Sequence, residues 1–454
     1  MEVTEMNTIQ KQSGQTPSIE RQFWRYTLPA VAGMLVNGLY ATIDGIFIGQ
    51  YVGANALASM NLVWPIFGLV VGIGLMCGTG SAALYSIFKG EGRPEQAQSI
   101  FGNAISLMTL LSVAIGLLLY HFGDRGLMLM GAKDDVLIMG RDYLQVISAG
   151  SLAALLGAAL PMMIRNDDRP HLATIVMVVG AIANIVLDYL FIVVLQQGVT
   201  GAAIATVLAQ LATAIIGLIY FFSSKAKLRL SLRHLKVSLD GYRQIIITGT
   251  PSLAMFLYMS FVLGVHNRLF LEFGSVTSLA AFTIVGYVQA IFYMMAEGIA
   301  HGIQPLVSYN HGAGNQKNIR KALMMGIRWV LIIGIGLLIM INLMPEVIAR
   351  VFNNDDPVLI AETVKGLHLH LFTMFLDGFI VVAAAYFQAL AKSKTATLIT
   401  LGNMGVQIPL LFTLPFLLGV TGVWIALPLS NIFLAVVVAV VLVKDLKTRS
   451  TQPV

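Results

Sequence analysis

The sequence predicts an all-α membrane protein of twelve transmembrane helices in two six-helix lobes related by an internal parallel repeat. Three observations predict it: twelve long apolar runs, a shortage of charge, and a second half that repeats the first. The 454-residue chain is 57% hydrophobic and only 11% charged, against about 25% charged residues in soluble domains. A water-soluble globule of this size needs more polar surface than that.

A spanning helix needs about 20 apolar residues. Runs that meet this lie near 26–48, 56–87, 98–120, 138–163, 172–195, 201–222, 246–271, 277–305, 319–343, 366–390, 397–418 and 422–443. They are too long and too uniformly apolar for the alternating strands of an outer-membrane barrel. Residues 1–20 are polar and lack a signal-peptide pattern, so the first run is expected to stay as a span. Cys77 is the only cysteine, which excludes an internal disulfide.

Orientation follows from lysine and arginine. With the N-terminus in the cytoplasm, 21 of the 28 cations fall in inside segments, among them Lys11, Lys89, Arg165, Arg169, Arg233, Lys236 and Lys392. Only Arg125, Lys133, Arg141, Arg350 and Lys365 fall outside. This bias places both termini in the cytoplasm. It also accounts for the net charge of +6 without nucleic acid, because no basic stripe interleaves with aromatics.

The stretch Ser223 to Gln244 is the longest polar, basic segment between runs and reads as a linker between halves. The expected organisation is a cytoplasmic tail (1–20), an N-lobe (21–223), a basic cytoplasmic linker (224–244), a C-lobe (245–443) and a second cytoplasmic tail (444–454). The halves match at a nearly constant spacing, which shortens by one residue in the last pair: Pro29 with Pro251, Leu57-Ala58 with Leu279-Ala280, Gly90-Glu91-Gly92 with Gly312-Ala313-Gly314, and Gly198-Val199-Thr200-Gly201 with Gly419-Val420-Thr421-Gly422. Six helices per half make both halves cross the bilayer in the same direction. Such parallel repeats enclose a central cavity and are characteristic of transporters.

Two acids sit inside apolar runs: Asp44 in the first and Asp188 in the fifth. Each costs roughly 2.5 kcal/mol or more at mid-membrane, so each needs a partner or a function. Asn184 and Asp188 are one helical turn apart, as are Ala202 and Thr206 in the sixth run. If these faces converge with Asp44 and with Tyr143 of the fourth run, the site offers two carboxylates, an amide oxygen and two hydroxyls. That set suits Na⁺ or a proton. Two such carboxylates do not both stay charged without a neutralising cation. The other reading is that the acids only hydrogen-bond helices together. The second half lacks the pair, because His266 stands opposite Asp44 in the repeat.

The stretches Pro29…Ile43-Asp44-Gly45…Gly49, Gly90-x-Gly92, Asn184-x3-Asp188-Tyr189-x-Phe191-Ile192 and Gly198-Val199-x-Gly201-Ala202-Ala203-x-Ala205-Thr206 resemble the multidrug and toxic compound extrusion (MATE) family. The resemblance covers all twelve runs and the duplication. It implies two six-helix lobes in a V and a cation-coupled exporter of bulky organic cations. The family's N-lobe coupling site would fall on Asp44, Tyr143, Asn184, Asp188 and Thr206, with Ala202 through its carbonyl; for Na⁺, Asp44, Asn184, Asp188 and Thr206 would be the ligands. Pro29 matches the bending proline of helix 1, and Asn37 a cavity-lining polar position. The glutamate that the NorM-like branch carries in helix 7 is missing, although Asp377 matches that branch's helix 10 aspartate. The N-lobe pattern resembles the DinF-like branch, and Gly302 to Asn310 the MepA-like branch. The coupling ion, H⁺ or Na⁺, stays open.

Glu297 and His301 are one turn apart in the eighth run. They read either as a second cation-attracting group facing the cavity or as a pair locking helices. Twenty-two methionines suit a cavity that repacks around varied drugs, although most belong to core or lipid-facing positions. Gly68-x3-Gly72 and Gly74-x3-Gly78 signal close helix packing. The Gly90 and Gly312 motifs lack the strand and the GxxxxGK[S/T] of a phosphate loop. Protease and hydrolase signatures are likewise missing, so neither an enzyme nor a cofactor is expected. The expectation is a monomeric antiporter of the inner (cytoplasmic) membrane, whose partners are amphipathic, often cationic drugs and the lipid bilayer. The alternative is a lipid-linked oligosaccharide flippase of a related fold, which would need cations at mid-membrane to hold a pyrophosphate.

Overall fold

The computed structural model describes residues 17–227, 229–230, 237–352 and 355–450. Most of the N-terminal tail, including Lys11, the linker cations Arg233 and Lys236, and residues 451–454 lie outside the described residues. Those described form fifteen α-helices and one short π-helix, with no strand. The first half runs α1 (Ile19–Tyr51), α2 (Ala54–Gly90), α3 (Pro94–Leu129), α4 (Asp134–Ala149), α5 (Ser151–Asn166), α6 (Pro170–Asp188) continuing as the π-helix Tyr189–Val194, and α7 (Gly198–Phe222). The second half runs α8 (Leu239–Phe273), α9 (Val276–Gly312), α10 (Gln316–Leu343), the short α11 (Pro345–Phe352), α12 (Pro357–Leu371), α13 (Met374–Ala389), α14 (Ser393–Leu418) and α15 (Val420–Ser450).

Ten of these stretches are long and apolar enough to cross a membrane alone, and two bent pairs, α4–α5 (66°) and α12–α13 (44°), complete twelve. The first bend has a local cause. Gly150 stands at the break, where a Cβ would lie 2.4 Å from the Val207 side chain of α7. The missing side chain lets the backbone turn directly against its neighbour.

The repeat is visible in packing as well as sequence. Helix α1 packs on α9, and its counterpart α8 packs on α2. The two seams exchange their first turns. Ile19, Phe23 and Tyr26 of α1 lie in the core of the second lobe, and Tyr242 and Ile245 of α8 lie in the core of the first. Glycines make this approach possible. A Cβ on Gly90 would meet the Tyr309 carbonyl at 2.1 Å, and one on Gly312 would meet the Ile87 carbonyl at 2.0 Å. The second glycine of each Gly-x-Gly motif, Gly92 or Gly314, closes its helix at φ 72° or 70°, a conformation that glycine adopts without a Cβ penalty. The motif is therefore a seam-and-cap device.

Polar bonds across the seam cluster at the end of the bundle that carries the lysine- and arginine-rich segments, here the basic end. They include Thr79 with Ser252 (2.9 Å), Tyr242 to Ser106 (2.9 Å), Asn166 to Gln304 (2.8 Å) and the ion pair of Lys321 with Glu20. The described part of the linker folds back on the first lobe. Ala226 and Leu230 are buried, and the Leu230 amide donates to the Phe221 carbonyl (2.9 Å). Helix α8 starts at Leu239, before the apolar run does, because Ser238 caps it by accepting from the Gly241 amide. One residue counted among the inside cations is no loop residue: Arg165 sits in α5 and is 1% exposed.

Candidate functional site

The apolar faces of α4 and α7 and the outer part of α1 form a small core with Ile48, Tyr143, Ala202, Ala203 and Ile192. The acids lie at its edge. Helix α6 packs on both α1 and α7, which buries Asn184 and Asp188 on one face. Asp188 is the last α-helical residue before the chain widens into the π-turn. Such turns re-aim side chains and recur at functional sites. Both Asp188 carboxylate oxygens, Asp44 Oδ1, and both amide atoms of Asn184 are buried without a hydrogen-bond partner among the described residues.

Asp44 and Asp188 lie within charge reach of each other. Tyr143 lies within reach of both and beside the Thr206 side chain. Ala202 is fully buried one turn before Thr206. Tyr40, one turn before Asp44, also faces both acids. Sequence reasoning missed it, although the i, i+4 spacing from Asp44 was a usable signal. The π-turn left no sequence signal.

Burying a polar atom unpartnered costs about 1–3 kcal/mol, a cost that a ligand supplying positive charge or donors would offset. Four of its five unpartnered atoms are oxygens, which is the chemistry of a hard cation or a proton.

The remaining candidates do not join this cluster. Pro29 is buried and α1 runs through it unbroken; its carbonyl accepts from Thr174 (2.6 Å). Asn37 is exposed. Glu297 and His301 share neither an ion pair nor a hydrogen bond among the described residues, so they do not lock helices as a pair. His301 instead faces Arg165 across the seam, and Glu297 lies near Tyr293. Asp377 accepts from Gln289 (3.2 Å), with Asn431 nearby. His266, opposite Asp44 in the repeat, stacks on Phe282 (5.2 Å) beside His370, with Nδ1 on the Val262 carbonyl (2.9 Å).

The MatE family model matches residues 29–190 and 251–413, one match to each half. The chain belongs to the MATE family. It is therefore a membrane transporter from a family of transporters, not of enzymes. The multidrug export protein MepA of Staphylococcus aureus is 25% identical over 435 residues, 94% of each chain. Its counterpart in Staphylococcus saprophyticus is 25% identical over 432 residues, covering 94% of this chain and 95% of that one. Among solved structures, a multidrug resistance MATE family transporter of the MOP superfamily in an outward-facing conformation superposes with a TM-score of 0.90 at 23% identity, over 96% of this chain and 97% of that one.

The basic end of this MATE chain carries two ionic networks, one per lobe. In the first, Asp168 takes Lys89 (2.5 Å), Lys227 (2.8 Å) and the Tyr26 hydroxyl (2.8 Å). Asp167 beside it accepts from Tyr220 (2.6 Å), Tyr85 (2.9 Å) and the Lys227 amide (2.9 Å). Burial pushes the Asp167 carboxyl above its ordinary value, against those hydrogen bonds. Burial works the same way on Asp168, but the charges of Lys89 and Lys227 outweigh it and hold that carboxyl well below the usual carboxylate range. In the second network Asp445 takes Lys392, Arg449 (2.9 Å) and Tyr386 (2.8 Å). These networks brace each lobe internally.

Proposed function

We propose that the chain is an inner-membrane antiporter that exports amphipathic, often cationic drugs and toxins in exchange for H⁺ or Na⁺ by alternating access. The observation that carries this reading is the cluster of unpartnered oxygens on Asp44, Asp188 and Asn184. The MepA proteins of both staphylococci, named for multidrug export, support the cargo class.

The lobes are 21–223 and 245–443, joined by the 224–244 linker. The basic end faces the cytoplasm with both termini, as the excess of lysine and arginine there supports. In that orientation the hydrogen-bonded seam is the cytoplasmic closure. A cation arriving from outside binds Asp44, Asp188, Asn184 and Thr206, with Tyr143 and the Ala202 carbonyl beside them. Neutralising the acids removes the attraction that holds a cationic drug between the lobes. Linkage then requires drug and ion each to weaken the other's binding by the same factor. Asn37, Glu297 and Asp377 contribute polar groups to the cavity, and Pro29 lets α1 bend. Ethidium efflux from proteoliposomes, under an imposed Na⁺ gradient and separately under an imposed pH gradient, tests this. Efflux driven by one gradient supports the reading, and efflux indifferent to both overturns it.

A further inference from the structure

We propose that the seam between the lobes binds a small monovalent anion of the chloride class at Arg165, with Thr27 and His301. Arg165 is among the largest fully buried side chains of the protein. Among the described residues its Nε and Nη2 have no hydrogen-bond partner, and Nη1 meets only the Met162 sulfur at 3.1 Å. A thioether is a weak acceptor and brings no charge. The guanidinium does not release its proton, so it is a buried cation without a counter-ion, and such a charge costs several kcal/mol.

The residues around it are placed by the seam. Asn166, next in the chain, donates across it to Gln304. His301, one turn before Gln304, lies within charge reach of Arg165. Thr27 packs against Gly302, so closely that a Cβ there would lie 2.5 Å from the Thr27 Oγ1. That hydroxyl too is buried without a partner.

Unpartnered donors therefore lie along this stretch of the seam, on Arg165 and on Thr27 beside Gly302, and an acceptor carrying negative charge is what they lack among the described residues. The nearest carboxylates in sequence are engaged elsewhere, Asp167 by two tyrosines and Asp168 by two lysines. No ion pair reaches Arg165 among the described residues. Water would satisfy the N–H groups but leave the charge; a halide does both. Arg165 and Thr27 come from the first lobe and His301 from the second, so a bound anion bridges them only while the basic end is closed. By linkage it shifts the population toward that conformation.

The test uses the purified full-length protein at fixed sodium, pH and ionic strength. Chloride replaces gluconate, and the unfolding temperature is read by scanning fluorimetry. A rise of a few degrees that saturates with chloride is expected for the wild type, and no rise for Arg165→Met. Equal unfolding temperatures in both salts, or a chloride effect that survives in Arg165→Met, overturn the proposal. Should that variant not fold, crystals of the wild type grown in bromide decide. An anomalous peak within hydrogen-bond distance of the guanidinium supports the site, and an ordered water there in its stead refutes it. Neither readout depends on transport.

Discussion

Asp44 and Asp188 of the first lobe and Asp377 of the second sit in opposite situations. Asp44 and Asp188 have carboxylate oxygens without a hydrogen-bond partner among the described residues, whereas Asp377 accepts from Gln289, with Asn431 nearby. Where the repeat places Asp44, the second lobe has His266, packed in a cage of Phe270, Phe282 and His370. Within one repeated frame, the first copy carries buried unpartnered oxygens here and the second carries aromatic rings. An intramembrane acid is therefore not a site by itself. What separates the two cases is whether the fold already satisfies it.

The contrast is most directly broken at Asp188. Asp188→Asn is expected to cut drug efflux from cells by at least about tenfold, since a cation's charge-assisted contacts exceed the 1.4 kcal/mol that tenfold represents. Its abundance in the membrane is expected to stay at wild-type level, because the oxygens it alters hold no helix. Unchanged efflux would return Asp188 to the rank of a helix-packing residue.

The next effect falls on the frame that both lobes share. A Cβ on Gly249 would lie 1.9 Å from the Met76 carbonyl, and backbone cannot move aside as a side-chain tip can. Gly249→Val is expected to destabilise the protein by about 1–3 kcal/mol or more, seen as a lower unfolding temperature in detergent. Gly264, which has open space around it, is the control, and equal behaviour of the two valine variants would contradict the seam as described.

Asp377→Asn should move little. A neutral amide still accepts from Gln289, and one net hydrogen bond is worth about 1 kcal/mol. Efflux is expected to stay within about fivefold of wild type by that measure. A loss as large as that of Asp188→Asn would make the second lobe an equal partner in coupling.

The smallest effect is at the basic end. Asp168 has a depressed carboxyl, so its contribution to stability is present above the ordinary aspartate value, near 3.9. That contribution fades as pH falls below it toward the lower value in the folded protein. The wild-type unfolding temperature should therefore drop between about pH 5 and pH 3. Asp168→Asn should start lower at pH 5 and show a flatter acid limb; parallel curves would show that the two lysines do not act through this carboxylate.

Much of this was legible before any coordinates. The length and uniformity of the apolar runs fixed twelve spans, because a helix must satisfy its own backbone in lipid. Repeated glycines and prolines at nearly constant spacing revealed two copies, and acids stranded in hydrocarbon marked where chemistry was needed. Periodicity placed Asn184 with Asp188, since one helical turn is a local property. The Gly-x-Gly motifs were visible too, but not their purpose. The first glycine faces a backbone carbonyl more than two hundred residues away.

Sequence alone settled the membrane class, the duplication and the family likeness, all of which are written in composition and short-range pattern. Only the tertiary structure decided that Phe23 and Ile245 cross into each other's lobes, that Glu297 does not bind His301, and that Arg165 is sealed in the seam. It also decided which acids stand unpaired. Each of these depends on whether groups distant in the chain meet, and hydrogen bonding and desolvation act over a few ångströms of space rather than along the sequence.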